Sequence, residues 1–86
     1  MKLNFYSDPG HGWLAVKRST LKDWGIDKWI STYSYQRGGT VYLEEDMDYL
    51  TFINEANARG IKPIIVEKHT NSRSPIRSYE HFSKGF

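Results

Sequence analysis

Two of the three histidines stand where imidazole chemistry is conceivable. His11 lies in Ser7-Asp8-Pro9-Gly10-His11-Gly12-Trp13, and His69 opens His69-Thr70-Asn71. Between them, acids concentrate at Glu44, Glu45, Asp46 and Asp48. Two imidazoles and one carboxylate are an accepted zinc ligand set that leaves a fourth position for water. His11 and His69 with one of Glu44, Glu45 or Glu67 therefore define one chemical expectation, a small zinc hydrolase centred on His11 and His69. Each of these groups also has a purely structural use. Glycines at 10 and 12 suit a tight turn, and acids ahead of an apolar helical period favour the positive end of the helix dipole. A serine nucleophile at Ser7 or Ser31 lacks the strand–turn–helix context that exposes and activates one. The structural uses take precedence, and the sequence predicts a chain without catalytic residues, metal or cofactor.

The elements that would position these groups follow from period and punctuation. Residues 2–6 alternate and run into Asp8-Pro9-Gly10, a strand entering a turn, and residues 13–16 form the return strand. Ser19 is placed to cap a short helix over 20–24, closed by Gly25. Residues 29–36 alternate strictly and turn back through Arg37-Gly38-Gly39 into a strand over 40–44. With all three turn residues in the loop and Gly39 left-handed, Tyr33 and Tyr35 share a face with Val41 and Leu43. A two-residue Gly38-Gly39 loop would instead set Tyr35 opposite Tyr42 and divide the apolar residues. The first register is preferred; it puts Trp29, Tyr33 and Tyr35 mainly in the core and leaves Tyr42 on the other face with Thr32 and Ser34.

A helix follows Asp46, with Tyr49, Phe52, Ile53 and Ala56 on one face and Gly60 at its end. Residues 61–68, apolar on both faces at Ile64-Ile65-Val66, read as an inner strand. Ser74 as cap and Pro75 at the first helical position start a C-terminal helix with Ile76, Tyr79 and Phe82 or His81 facing inward. The predicted fold is α+β: a mostly antiparallel sheet of about five strands packed on one main helix, with a short helix and a C-terminal helical segment, in a single domain over 1–86.

An 86-residue chain supports one modest core. It has no cysteine, which removes disulfides and thiol chemistry and suits a reducing cytoplasm. No apolar run approaches the length that spans a bilayer, and the first residues carry no signal-like apolar segment; the expectation is a cytoplasmic protein that does not engage membrane. The net charge of +2 is unevenly spread. Residues 1–43 hold six Lys/Arg against three Asp, 44–60 one Arg against five acids, and 61–86 five Lys/Arg against two Glu. A basic, acidic, basic order gives no continuous basic surface in sequence.

Two resemblances bear on function. The string Asp8-Pro9-Gly10-His11-Gly12 resembles the first zinc-ligand segment of the zinc-dependent N-acetylmuramoyl-L-alanine amidases, which cut peptidoglycan, and His69-Thr70-Asn71 is similar to their "H-x-N" segment. That likeness implies a zinc hydrolase. The chain departs from the family pattern, because no glutamate occurs between His11 and Glu44, its length falls short of that family's parallel α/β fold, and the residues after His11 read as a hairpin. The segments SDPGHGWL (7–14), YLEED (42–46) and RSPIRSY (73–79), in this order and at about this spacing, resemble a group of small uncharacterised proteins encoded by tailed bacteriophages and their prophages. This second likeness implies a phage origin and carries no activity. Small accessory phage proteins more often bind and block a host protein, host defence systems included, than catalyse a reaction.

The expected function is accordingly a non-catalytic interaction protein acting on a host protein in the host cytoplasm. Trp13, Arg37, Tyr42, Arg73, Arg77 and Tyr79 are its candidate contact residues, since aromatic and Arg side chains dominate binding hot spots. The alternative outside the zinc hydrolase is a nucleic-acid or phosphate-binding module using the basic tail. There Arg73, Ser74 and Arg77 would form an anion site at the start of the C-terminal helix.

Overall fold

The computed structural model describes residues 1–84. Strands β1 (Lys2–Ser7) and β2 (Gly12–Lys17) form an antiparallel hairpin. Its turn is held by Asp8, whose Oδ1 accepts the N–H groups of Gly10 and His11, each at 3.0 Å, the local side-chain-to-backbone pattern that makes Asp a turn residue. Gly12 is required by close approach: a Cβ there would lie 2.6 Å from the Phe5 ring. Helix α1 (Arg18–Asp23) and a 3₁₀ turn (Asp27–Trp29) lead to strands β3 (Tyr35–Arg37) and β4 (Thr40–Glu44). Helix α2 (Asp48–Ala58), strand β5 (Ile64–His69), a second 3₁₀ turn (Pro75–Ser78) and strand β6 (Glu80–His81) follow.

The fold is α+β. Its sheet has six strands in the order β5-β1-β2-β4-β3-β6 and is mixed, with β5 parallel to β1, where about five mostly antiparallel strands were expected. On one face Leu14, Val16, Val41 and Leu43 pack with Leu21 of α1, Phe52 of α2 and Phe82. The opposite face carries Tyr6, Trp13, Tyr35 and Tyr42, paired across the strands as Tyr6 with Trp13 and Tyr35 with Tyr42. The C-terminal segment lies over that second face, burying Ile76 and setting the Tyr79 ring 5.2 Å from Tyr42. Both faces of the sheet are thus covered.

Five expectations are corrected. The β3–β4 turn is the two-residue Gly38-Gly39 loop, with Tyr35 opposite Tyr42 and Gln36 opposite Val41. The positive φ falls on Gly38, at +58°, and not on Gly39, as a turn with Gly at its first central position requires. The alternating stretch before it is a strand only from Tyr35. Trp29 ends a 3₁₀ turn at 65% exposure and Tyr33 is 73% exposed, because Ser31 and Ser34 are drawn to α2. Buried Asp48 accepts the Ser31 N–H and both serine hydroxyls. Ser34 sits in the core for that reason, and the aromatic stripe does not.

Strand β5 is an edge strand rather than an inner one, with Ile64 exposed; its β-branched run pairs on one side alone. The C-terminal helix is one 3₁₀ turn. Ser74 Oγ does accept the Ile76 N–H at 3.2 Å, but Glu80 and His81 pair with β3 and the Phe82 N–H goes to Ser34 O. Those pairings use the backbone groups that a continuing helix needs. Helix α1 begins at Arg18 with no side-chain cap from Ser19. Its start is fixed instead by Arg18, whose N–H reaches Gly39 O and whose guanidinium donates to Gln36 Oε1 at 2.8 Å.

Candidate functional site

The C-terminal segment is fastened to the β1–β2 turn by one carboxylate. Asp8 Oδ2 accepts the Ser74 N–H at 2.9 Å and Arg77 Nε at 2.7 Å, and Oδ1 accepts Arg77 Nη2 at 2.9 Å. The Arg77 guanidinium, followed by the Ser74 N–H, holds the Asp8 carboxyl far below the usual carboxylate range. Arg77 also lies over the Trp13 ring, 5.3 Å from its centroid, a cation–π contact on a desolvated indole.

Beside this latch is a cavity of about 360 Å³, with Trp13 and Tyr35 on the sheet, Tyr33 and Met47 at the rim, and His11, Glu44, Asp46 and Arg77 between them. Trp13 is 1% exposed, and among the described residues its indole N–H has no acceptor. Glu44, buried at the end of β4, turns its carboxylate onto the start of α2. Oε1 accepts from Met47 and Asp48 N–H at 2.8 Å each, and Oε2 from Asp46 N–H at 2.9 Å. One side chain thereby satisfies two of the donors that a helix N-terminus leaves open, Met47 and Asp48, and the Asp46 N–H just before them. Ligand atoms of His11, Glu44 and Asp46 all lie within 4.8 Å of one another, and Glu45 Oε1 stands 3.5 Å from His11 Nδ1.

A second cleft of about 300 Å³ on the same sheet face is lined by Tyr6, Tyr42 and Tyr79 with Ser7, His69 and Ser74. Burial, then the neighbouring Tyr79 and Tyr6, push the Tyr42 phenol up. Here Ser7 Oγ and His69 Nδ1 are 2.9 Å apart, and His69 Nε2 lies 3.2 Å from Asn71 Oδ1, the order of a nucleophile, a base and an orienting group. The N–H that would serve an oxyanion there belongs to Asp8, the residue after the serine. It is donated to His11 O at 2.9 Å.

His11 and His69 thus line different cavities, and the ligand cluster among the described residues joins His11 to Glu44 and Asp46, without His69. Of the contact residues expected from sequence, Trp13 is the buried floor of the larger cavity. Arg37 is exposed and stacks on the Tyr79 ring at 5.0 Å, and Tyr42 and Tyr79 are half-buried against each other. Arg73 is exposed, and Arg77 is half-buried in the Asp8 latch. The N–H of Ser74 and the Arg77 guanidinium, expected to take an external anion, hold the protein's own carboxylate.

Sequence reasoning missed Tyr33 and Met47, which are exposed at the cavity, and Leu50, which is exposed in the first turn of α2. It also missed Asp8 as the anchor and Asp46 as a neighbour of His11. Nothing local joins residues 8 and 77. No protein-family model matches the chain, and no curated protein or solved structure matches it. Among the described residues no helix is long and apolar enough to cross a membrane.

Proposed function

We propose that this chain is a non-catalytic interaction protein that grips a partner protein with the surface around the Trp13 cavity. The observation that carries this reading is the placement of large apolar side chains in solvent at one junction. Tyr33 and Met47 share the cavity rim, and Met47 and Leu50, 55% and 52% exposed, lie at the N-cap and in the first turn of α2. Single exposed apolar residues are ordinary on any surface; a group of them around a concave, aromatic-floored site is the composition of an interface centre. The Ser31 and Ser34 hydrogen bonds to Asp48 hold the two segments together, so the surface is organised before a partner arrives, which lowers the entropy cost of binding. The occupied Asp8 N–H beside Ser7 supports a binding role over acyl transfer. The likeness to small phage proteins makes a bacterial host protein the partner class.

The test is affinity capture from bacterial lysate with the wild-type chain, the Tyr33→Ser/Met47→Ser double variant and Lys62→Ala as a control on another exposed surface. A host protein held by wild type and control and lost by the double variant, with direct binding by the purified pair, is the expected result. Identical capture by all three chains would remove this surface from consideration.

A further inference from the structure

We infer that His11, Glu44 and Asp46 form a binding site for one divalent transition-metal ion. The three residues come from the β1–β2 turn, the end of β4 and the loop before α2, and their ligand atoms lie within 4.8 Å of one another. Ligands on a common ion at ~2.1 Å stand roughly 3.4 Å apart, so small rotations of His11 and the exposed Asp46 close the set. One imidazole nitrogen and two carboxylate oxygens favour ions of the Zn²⁺ and Mn²⁺ class over Mg²⁺, which prefers all-oxygen shells and keeps its waters. Two carboxylates also match the ion's charge.

The surroundings fit a ligand set better than a loose group of surface acids. Glu44 cannot swing: with two N–H donors on Oε1 and one on Oε2, its carboxylate is fixed with acceptor capacity left on Oε2. Glu45 Oε1 stands 3.5 Å from His11 Nδ1, and a carboxylate beside one ring nitrogen helps to orient the imidazole. Among the described residues Arg77 is the one Lys or Arg in the cavity wall, and its charge is already met by Asp8. The buried Trp13, in the same wall, carries an indole N–H without an acceptor among the described residues. Three protein ligands leave positions open for oxygen ligands such as water.

The test is calorimetric titration of chelator-treated full-length protein with Zn²⁺ and Mn²⁺, alongside amide spectra recorded with substoichiometric Mn²⁺. The expected results are saturation at one equivalent, paramagnetic broadening centred on residues 11 and 44–46, and affinity about tenfold or more weaker in His11→Gln and Asp46→Asn, with His69→Gln unchanged. Asp46 is exposed, so its variant keeps the fold even where a change at His11 disturbs the turn. The absence of saturable binding of either ion would overturn the site. So would undiminished affinity in Asp46→Asn, or broadening centred on His69. The partner-capture experiment uses neither metal nor these variants, so the two proposals fail independently.

Discussion

Five N–H donors, from Gly10, His11, Ser74 and twice from Arg77, converge on the buried Asp8 carboxylate. Each is a charge-assisted bond, and protonating the acceptor weakens all of them at once. Because the folded-state pKa lies below the unfolded value of about 3.9, the unfolded chain binds the proton first. The latch therefore contributes its full stability above that value and loses it progressively as pH falls through the acid range. Asp8→Asn sets amide hydrogens against the Arg77 and Ser74 donors. Urea midpoints are expected to show Asp8→Asn less stable than wild type at neutral pH. Between about pH 5 and pH 3, where carboxylates titrate, wild type should lose more stability than the variant. Equal slopes in that interval would mean the carboxylate is not the anchor.

The β3–β4 hairpin tests backbone strain in isolation, because a Cβ at Gly38 or at Gly39 meets nothing within 4 Å. Gly38 alone has the left-handed φ, so Gly38→Ala should cost on the order of 1 kcal/mol in chemical denaturation, and Gly39→Ala close to nothing. The reverse order would restore the three-residue loop. Helix α2 was legible because its signals are local: Asp48 in the first turn, Phe52 and Ala56 buried one turn apart, and Gly60 left-handed after the end. The hairpin register was misread because apolar grouping was used to choose it, while the sheet buries aromatic residues on one face and aliphatic ones on the other. Strand β5 was misplaced because β-branched residues suit any pleated surface and do not say whether a second neighbour pairs with it. The alternation over 29–36 was outweighed by Ser31 and Ser34, whose shared acceptor lies on another element. At the site, Trp13, Tyr42, Arg77 and Tyr79 were legible as large or forked side chains that had to meet something. Their partners depend on contacts such as that of Asp8 with Arg77, 69 residues apart, and no local pattern encodes those.

Across the whole molecule, several of the arginines are engaged by the protein itself. Arg77 is paired with Asp8, Arg59 with Glu55, and Arg37 lies over Tyr79. A phosphate-tracking groove needs such cations free and in line, so anisotropy titrations with random duplex or single-stranded oligonucleotides at about 0.15 M salt should show no tight complex. Sub-micromolar binding abolished by Arg73→Ala would favour the nucleic-acid alternative. The parallel pairing of β1 with β5 has a consequence for how the protein is made. Ser7 leaves the ribosome 62 residues ahead of its neighbour His69, a delay of about 3–12 s at ordinary synthesis rates. Throughout that interval β1 presents a bare edge to its surroundings, open to any passing strand. The newborn chain is therefore exposed to misassociation for most of its own translation, and early folding is confined to the β1–β2 hairpin and whatever packs on it.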